Sequence, residues 1–243
     1  MDVKSLTDEL SANAYPGRGI VAGRSADGKQ AVVAYWIMGR SANSQNRVFV
    51  AEGDGIRTQA ADPARMSDPR LVIYPPVRVV GRRTIVTNGD QTDTIAQVLK
   101  RGGSFKAALA TRAAEPDAPH YTPRISALLD VTGGELSLSL CVIKTDCANP
   151  ASPCRYFFDY ENPRAGVGRY IHTYTGDAEV LQSFAGEPVL VAIRGDIDEF
   201  SMSVWESLNE ERKVSLFVRF IDIQTGEQQT RIINKWQQVA AAD

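Results

Sequence analysis

The sequence predicts an α+β protein built mainly from antiparallel strands. Turn signals recur at intervals typical of strands, so that strand follows strand along most of the chain. The stretch GIVAGRSADGKQAVVAYWIM places β-branched apolar runs on both sides of Asp27-Gly28, which is a strong hairpin signal. Apolar residues at helical spacing are confined to two regions. We therefore expect two antiparallel sheets or one large folded sheet, with helices in two clusters, and not a βαβ nucleotide-binding fold.

Strands dominate the first part of the chain. The expected strands are, in order, 19–26, 30–37, 47–52, 71–80 and 84–89. Pro75 and Pro76 cannot donate main-chain hydrogen bonds, so the fourth strand must be bulged, broken or at an edge there. Tyr35 to Met38 are expected in the core. The polar stretch GRSANSQNR that follows, here called the opening loop (39–47), is expected to form the rim of a ligand site.

Helices are predicted in two places. Apolar residues three and four positions apart between 95 and 109 predict two short helices separated by Gly102-Gly103. Segment 196–211 carries one apolar stripe, and Asp196 or Asp198 can cap its start. The remaining pattern predicts a hairpin around Gly133-Gly134, strands at 156–160, 168–174 and 188–195, and a final hairpin that turns at Thr225-Gly226.

The composition is that of an ordinary globular protein. Of the 243 residues, 43 % are hydrophobic and 23 % are charged, and we expect residues 1–243 to form one domain. The formal net charge of -2 gives no support to a nucleic-acid partner. No stretch reaches the roughly 18 apolar residues of a membrane span, and the N-terminus lacks the pattern of a secretion signal. We therefore expect a cytoplasmic protein without a membrane partner.

The cysteines and histidines give little support for a metal or a disulfide. Cys141, Cys147 and Cys154 are an odd number, so reduced thiols are the expectation, although Cys147 and Cys154 flank a loop and can meet in a disulfide or share a metal. His120 and His172 lie in separate segments. We expect no bound metal and no cofactor.

Local charge and polarity indicate a small anionic ligand. Between Tyr15 and Arg47, five basic residues stand against a single acidic one, in a chain that is negative overall. Four polar clusters lie between regular elements, where loops often carry function: YPGRGI, GRSANSQNR, TNGDQTD and PHYTPRIS. TNGDQTD leads into a predicted helix, whose N-terminus attracts anions. Turns, caps and solvated arginines explain each cluster alone, but four together indicate a ligand site.

The same motifs carry a family resemblance. YPGRGIVAG, GRSANSQNRVF, PPVRVVG followed by TNGDQTDTIA, and HYTPRI occur in this order and at these separations. From Tyr15 to Asp130 the chain thereby closely resembles the archaeal-type IMP cyclohydrolases and their bacterial homologues, with a looser resemblance beyond. This resemblance implies a four-layered α-β-β-α sandwich similar to that of the N-terminal nucleophile hydrolases. It also implies a homo-oligomeric enzyme that converts 5-formamidoimidazole-4-carboxamide ribonucleotide (FAICAR) to IMP and water without a metal.

The resemblance also assigns roles to individual residues. Its catalytic positions match Arg47 in the opening loop, Tyr74 before the following strand, and Glu115 upstream of the TPR motif. Since ring closure needs donors on the formyl oxygen and a proton acceptor near the amide, we expect Arg47 and Tyr74 to polarise that oxygen while Glu115 shuttles the proton. Asp117 is the neighbouring candidate for the role of Glu115. The expected substrate-binding residues are Arg18, Arg40 and Arg124 for the phosphate, Asn46, Asn88 and Asp90 for the ribose, base or loop structure, and Tyr121.

Other functions fit the same residues. A purine-nucleotide-binding protein that keeps the pocket without catalysis would be stabilised by IMP and would leave FAICAR unconverted. An enzyme of the same scaffold that acts on another formamide, amide or purine nucleotide is a second alternative, and an amidase released by cleavage is a third. If the chain is a cyclohydrolase, replacing Arg47 with alanine should lower turnover by several powers of ten.

Overall fold

The computed structural model describes residues 2–70 and 72–237, which form five α-helices and thirteen β-strands. The helices are α1 (Leu6–Ala12), α2 (Ala42–Gln45), α3 (Gln91–Lys100), α4 (Phe105–Ala110) and α5 (Ile197–Ser207). The strands are β1 (Arg18–Arg24), β2 (Gln30–Met38), β3 (Arg47–Glu52), β4 (Gly55–Ala60), β5 (Val77–Val80), β6 (Arg83–Thr87), β7 (Arg124–Asp130), β8 (Ser137–Asp146), β9 (Asn149–Glu161), β10 (Val167–His172), β11 (Val189–Ala192), β12 (Lys213–Asp222) and β13 (Gln228–Asn234). They form two antiparallel sheets, which confirms the predicted α+β class.

The first sheet has six strands in the order β11-β10-β1-β2-β12-β13. The hairpin predicted at Asp27-Gly28 joins β1 to β2, with Arg18 opposite Ile37. The predicted final hairpin joins β12 to β13. Because β2 is central and covered on both faces, its residues from Ala31 onward are fully buried.

The second sheet is a seven-stranded meander in the order β3-β4-β5-β6-β7-β8-β9. The predicted turn at Gly133-Gly134 joins β7 to β8, with Asp130 opposite Ser137. Strand β9 spans Asn149–Glu161 and is therefore much longer than the predicted segment 156–160. It pairs with β8 along most of its length, and this register brings the polar segment before Tyr156 into the hairpin.

Three apolar cores hold the sheets and helices together. The largest lies between the two sheets and includes Tyr35, Phe49 and Phe217. A second packs α1 and α5 against the first sheet around Trp36, and a third packs α3 and α4 against strands β6 to β8. Successive residues of β2 alternate between the first and second cores, as the two-residue period of a strand requires. Helices α1, α3, α4 and α5 therefore cover the outer faces of the two sheets.

The helices of the described chain are short, and α5 is the longest at 11 residues. Asp196 caps α5 through bonds from Asp198 and Glu199, and the side chain of Glu199 completes a capping box. This agrees with the predicted helix, although α5 ends earlier than the predicted limit at position 211. Among the described residues, no helix combines the length and apolarity needed to traverse a lipid bilayer.

The predicted strand 71–80 is broken at its two prolines, which was one of the predicted possibilities. Only β5, after the prolines, is a strand, and position 71 lies outside the described residues. Ahead of the two prolines, the N–H of Tyr74 bonds to the hydroxyl of Thr58 instead of continuing the strand ladder. Helices α1 and α2 and strand β4 were not predicted. Their apolar signals are weak, because α1 buries only Leu6 and Leu10, α2 has four residues and buries none of them, and β4 has one large apolar residue, Ile56.

Candidate functional site

The candidate site lies where several strands begin. Arg18 is the first residue of β1, Arg47 of β3 and Arg124 of β7. Arg18 interacts electrostatically with Tyr74 and Glu115, which belong to connections of the second sheet. The two sheets therefore bring these positions together. The polar ends of the strands thus face one another beside the apolar core between the sheets.

Two arginines lie side by side in this site. Arg47 is fully buried; its Nε donates to the carbonyl of Ser44 at 2.7 Å and its Nη2 to the carbonyl of Met38 at 3.2 Å. Arg47 Nη1 and Arg18 Nε are buried and have no hydrogen-bond partner within residues 2–70 and 72–237. Unpaired buried donors are uncommon, because a polar group loses its hydration on burial.

The electrostatics of the two arginines favour a negatively charged or strongly polarised ligand. Burial lowers the pKa of Arg47, and the adjacent charge of Arg18 lowers that pKa further. Burial also acts to lower the pKa of Arg18, but nearby tyrosines, Tyr74 and Tyr174 foremost, raise that pKa above its ordinary value. Guanidinium groups stay protonated in proteins, so two positive charges are held close together. A ligand oxygen would satisfy the free N–H groups and offset this repulsion.

Gly19, the neighbour of Arg18, allows close packing between β1 and β2. Gly19 lies opposite Trp36 on β2, and a Cβ atom at Gly19 would come within 2.0 Å of the Trp36 ring. The absence of a side chain lets the indole cover β1 at this point. Arg18 itself is anchored through its backbone N–H, which donates to the Thr173 hydroxyl at 3.1 Å.

A pair of tyrosine hydroxyls lies next to the arginines. The hydroxyls of Tyr35 on β2 and Tyr74 before β5 are 2.7 Å apart, and both side chains are buried. Burial, and then the proximity of Tyr74, raises the pKa of Tyr35 well above its ordinary value, so Tyr35 remains protonated. The hydrogen bond between the two hydroxyls uses the hydrogen of only one of them. The other hydroxyl hydrogen is therefore available to a ligand oxygen.

Arg124 organises the carboxylate side of the site. Its Nη1 lies 2.7 Å from Asp90 Oδ1, from Gln91 Oε1 and from Glu115 Oε1. Its Nε donates to the carbonyl of Ala113 at 2.9 Å. These contacts engage Nε and Nη1 of Arg124, and through them Arg124 holds Glu115 and the start of α3 in place.

Glu115 has the environment of a proton carrier. It is 8 % exposed, and its Oε2 is buried without a hydrogen-bond partner in the part of the chain that the structure describes. Burial raises the pKa of Glu115; Arg124 opposes this effect, and the negative charges of Asp90 and Asp117 reinforce it. A carboxyl group with a raised pKa can both release and accept a proton closer to neutral pH.

Asn88 links the loop before α3 to the loop before β7. Its Nδ2 donates to the carbonyl of Pro123 at 2.8 Å, while its Oδ1 accepts from the N–H of Ile125 at 2.9 Å and from Gln91 Nε2 at 3.0 Å. Asp90 ends the same loop; it contacts Arg124 and also Arg112. Both residues support the site through bonds within the protein.

A small cavity marks the centre of the site. Its volume is about 20 Å³, and its lining consists of Arg18, Asn88, Glu115, Asp117 and Thr122. The hydroxyl of Thr122 bonds to Asp117 and to the hydroxyl of Tyr174. The tyrosine ring in turn stacks on Tyr15. The predicted Arg18, Asn88 and Glu115 thus meet at one cavity, with Thr122 and Asp117 beside them.

Arg40 lies at the edge of the site and joins the opening loop to a segment after β10. Its Nη1 lies 3.2 Å from Asp177 Oδ1 and donates to the carbonyl of Ala178 at 2.7 Å. Its guanidinium also lies 5.4 Å from the centre of the Tyr15 ring. Arg212 provides a second cation for Asp177 at 3.3 Å. The side chains of Arg40 and Asp177 are each 25 % exposed, so this contact is reachable from solvent.

Of the ten predicted site residues, three line the central cavity, and the others do not line it within the described residues: Arg40, Asn46, Arg47, Tyr74, Asp90, Tyr121 and Arg124. Asn46 exchanges two hydrogen bonds of 2.8 Å with the backbone of Asp62 and lines a surface cavity of about 310 Å³, whose lining also includes Arg40. Tyr121 adopts a left-handed conformation with φ of 41° in the loop before Thr122. Within residues 2–70 and 72–237, neither side chain lines the central cavity.

Sequence reasoning missed several residues of the site. It assigned Tyr35 to the core, where the ring does pack, but did not predict that its hydroxyl reaches Tyr74. It gave no role to Tyr15, which lies within the motif YPGRGIVAG, or to Tyr174, which ends the predicted strand 168–174. Polar-tipped aromatic residues beside the arginine motifs were the available signal.

All three cysteines are free in the structure.

Comparison with known proteins places these residues in context. Residues 15–227 match the family described as IMP cyclohydrolase-like protein. The IMP cyclohydrolase of Methanopyrus kandleri is 32 % identical over 169 residues, which cover 68 % of this chain and 78 % of that protein. The IMP cyclohydrolase of Methanococcus aeolicus is 27 % identical over 200 residues, which cover 68 % of this chain and 98 % of that protein.

Proposed function

The chain belongs to the IMP cyclohydrolase-like family, and we propose that it closes FAICAR to IMP with loss of water. In this reaction the carboxamide nitrogen attacks the formyl carbon, and the formyl oxygen leaves as water. The site must therefore bind an anionic nucleotide, stabilise negative charge on the formyl oxygen, and move protons between nitrogen and oxygen.

The observation that carries this proposal is the pair of unpartnered guanidinium nitrogens on Arg18 and Arg47. Fixed donors in a site shielded from water stabilise developing charge without having to reorganise. We assign Arg47 to the formyl oxygen, because its remaining nitrogens are already held by backbone carbonyls and its orientation is fixed. Tyr74 supplies the second donor, since the Tyr35–Tyr74 pair has a hydroxyl hydrogen to spare.

Glu115 is assigned to proton transfer. Its free Oε2 and its raised pKa suit a group that exchanges protons with the reacting atoms. Arg124, Asn88 and Asp90 are assigned to positioning, because Arg124 Nη1 bonds to Asp90 and Glu115, and Asn88 bonds to the backbone of Pro123 and Ile125. For Arg124 this differs from the phosphate contact expected from the sequence, whereas a role in loop structure was one of the expectations for Asn88 and Asp90.

Binding of the nucleotide requires the site to open. Ligand pockets typically have volumes of about 300–1,000 Å³, whereas the central cavity has about 20 Å³. The contact between Arg40 and Asp177 closes one edge of the site. We propose that the substrate phosphate displaces Asp177 from Arg40, because a phosphate offers the same guanidinium a stronger, bidentate partner. Arg18 then contributes its charge from the interior.

Assembly and architecture are part of the same proposal. We propose that residues 1–243 form one domain and that the helices and sheets are the four-layered α-β-β-α sandwich of the N-terminal nucleophile hydrolase fold. The cores on both outer faces of the sheets support this assignment.

The open edges of strands such as β9 and β13 support self-association into a homo-oligomer. We propose that this oligomer acts in the cytoplasm on a small-molecule nucleotide.

The test is turnover of FAICAR by the purified protein and by two arginine variants. Arg47→Met keeps a long side chain and removes the guanidinium, and Arg101→Met is the matched control at an exposed arginine. Formation of IMP is followed by the ultraviolet change. We expect Arg47→Met to lower kcat by at least about 10²-fold, with Arg101→Met unchanged. Equal activity of both variants would remove Arg47 from the mechanism.

A further inference from the structure

We propose that Asp117 is a second catalytic carboxylate of this site, which accepts the carboxamide proton while Glu115 supplies a proton to the formyl oxygen. Thr122 is the residue that positions Asp117. The inference rests on the proposed closure of FAICAR and divides between two residues the proton transfer that Glu115 would otherwise perform alone.

The position of Asp117 supports this role. Asp117 and Glu115 line the same small cavity, together with Arg18, Asn88 and Thr122. The charges of the two carboxyl groups act on each other, since Asp117 contributes to the raised pKa of Glu115. Two carboxyl groups at one cavity can serve as acid and base when their surroundings favour different protonation states.

Both carboxylate oxygens of Asp117 are hydrogen-bonded to Thr122. The backbone N–H of Thr122 donates to Asp117 Oδ1 at 2.7 Å, and the Thr122 hydroxyl bonds to Asp117 Oδ2. An ionised carboxylate only accepts hydrogen bonds, so the Thr122 hydroxyl donates to Asp117 and accepts from the hydroxyl of Tyr174. Burial raises the pKa of Tyr174 to about 12, which keeps this donor protonated. Donors directed at a carboxylate stabilise its charge.

Glu115 has the opposite surroundings. Only its Oε1 has a hydrogen-bond partner within the described residues, Arg124, whereas both oxygens of Asp117 accept bonds from Thr122. Burial acts against ionisation of Glu115. Of the two groups, Glu115 is therefore the proton donor and Asp117 the acceptor. Each oxygen of Asp117 keeps a lone pair that can accept the N–H of a carboxamide.

The proton transfers balance over the two stages of the reaction. In the first, the carboxamide nitrogen bonds to the formyl carbon, its proton passes to Asp117, and Glu115 protonates the formyl oxygen. In the second, the carbon–oxygen bond breaks and the hydroxyl leaves as water with the proton from Asp117. The proton of the former formamide nitrogen then returns to Glu115. Both carboxyl groups regain their starting states.

The experiment compares the pH dependence of FAICAR closure in the wild type, Asp117→Asn and Glu115→Gln. An asparagine can still accept the backbone bond from Thr122, so the loop is kept and proton acceptance is lost. We expect Asp117→Asn to lower kcat by about 10²- to 10⁴-fold and to remove the limb of the pH profile that rises with pH. Glu115→Gln should remove the falling limb. Binding of IMP, measured by calorimetry, should stay within threefold for Asp117→Asn.

The outcomes separate this inference from the proposed function. A wild type that forms no IMP overturns both. An active wild type with Asp117→Asn within threefold of its kcat overturns the role of Asp117 alone and leaves it a structural residue of the loop. Should Asp117→Asn fail to fold, Thr122→Val gives the answer. Loss of a donor to the carboxylate should move the rising limb to higher pH, and an unmoved limb contradicts the proposal.

Discussion

The hydroxyl pair of Tyr35 and Tyr74 allows a role in catalysis to be separated from a role in stability. Replacing either tyrosine with phenylalanine removes the same 2.7 Å hydrogen bond between buried side chains. Each variant should therefore lose a similar free energy of unfolding, about 0.5–1.5 kcal/mol for one intramolecular hydrogen bond. For a protein of this size, this amounts to a fall in Tm of about 2–4 °C for each kcal/mol.

Catalysis should distinguish the two variants. Tyr74→Phe removes the hydroxyl assigned to the formyl oxygen, and the loss of one such donor lowers kcat by about 10²- to 10³-fold. Tyr35→Phe leaves the Tyr74 hydroxyl in place, so we expect a decrease of about tenfold or less, corresponding to about 1.4 kcal/mol of lost orientation. The double variant should have nearly the stability of either single variant, since both partners of the bond are gone.

The assay is steady-state closure of FAICAR alongside thermal unfolding of all four proteins. The reasoning requires matched losses of Tm and unmatched losses of kcat. If Tyr35→Phe and Tyr74→Phe lower kcat equally, the pair acts as one structural unit and the assignment of Tyr74 is refuted. If neither variant lowers kcat, the formyl oxygen is bound elsewhere.

Three further predictions follow from the structure. Burial lowers the pKa of His172 to about 4, so as the pH falls the unfolded chain binds a proton before the folded chain does. The free energy of unfolding should therefore decrease between pH 6.5 and pH 4 by up to about 3 kcal/mol. Urea unfolding of His172→Asn should lack this decrease. Gly19→Ala should lower the free energy of unfolding by at least about 3 kcal/mol, because its Cβ would overlap the Trp36 ring, whereas Gly176→Ala, with open space around it, should be neutral in the same urea assay. Arg40→Ala should raise KM for FAICAR about tenfold or more with kcat within threefold, while Tm barely changes, because partly exposed ion pairs contribute about 0.2–1 kcal/mol.

The parts of the fold that were predictable from the sequence depend on local signals. The turns at Asp27-Gly28, Gly133-Gly134 and Thr225-Gly226 have glycines with positive φ at Gly28, Gly133 and Gly226. Such turns need no long-range information, because glycine adopts this conformation without a steric penalty. Helix α5 was equally accessible, since its apolar stripe and its capping residue Asp196 lie within one short segment.

The site was predictable only in its residue types. The motifs identified the arginines, but which of them remain available to a ligand depends on partners distant in sequence. Arg124 is engaged by Asp90 and Glu115, and Arg40 by Asp177, which is 137 residues further along the chain. No periodicity or spacing encodes these contacts. The sequence therefore indicates a cationic ligand site, and only the tertiary structure shows that Arg18 Nε and Arg47 Nη1 are buried without a hydrogen-bond partner among the described residues.

The aromatic part of the site was hidden for a related reason. Tyr35 lies in a strand whose neighbours are all apolar, and such a pattern predicts burial of the whole side chain. Its hydroxyl joins the candidate site only because the second sheet brings Tyr74 within hydrogen-bond distance. Buried tyrosines normally find a polar partner, and the identity of that partner depends on the packing of one sheet on the other.

The most direct test of the proposed function is analysis of the products formed from FAICAR by the wild-type protein. We predict that each FAICAR consumed yields one IMP, identified by its ultraviolet spectrum and by a mass lower by one water molecule. Release of formate with the free amine would instead indicate hydrolysis of the formamide. Unchanged FAICAR, together with a rise in Tm on addition of IMP, would indicate a nucleotide-binding protein and contradict the proposed cyclohydrolase activity.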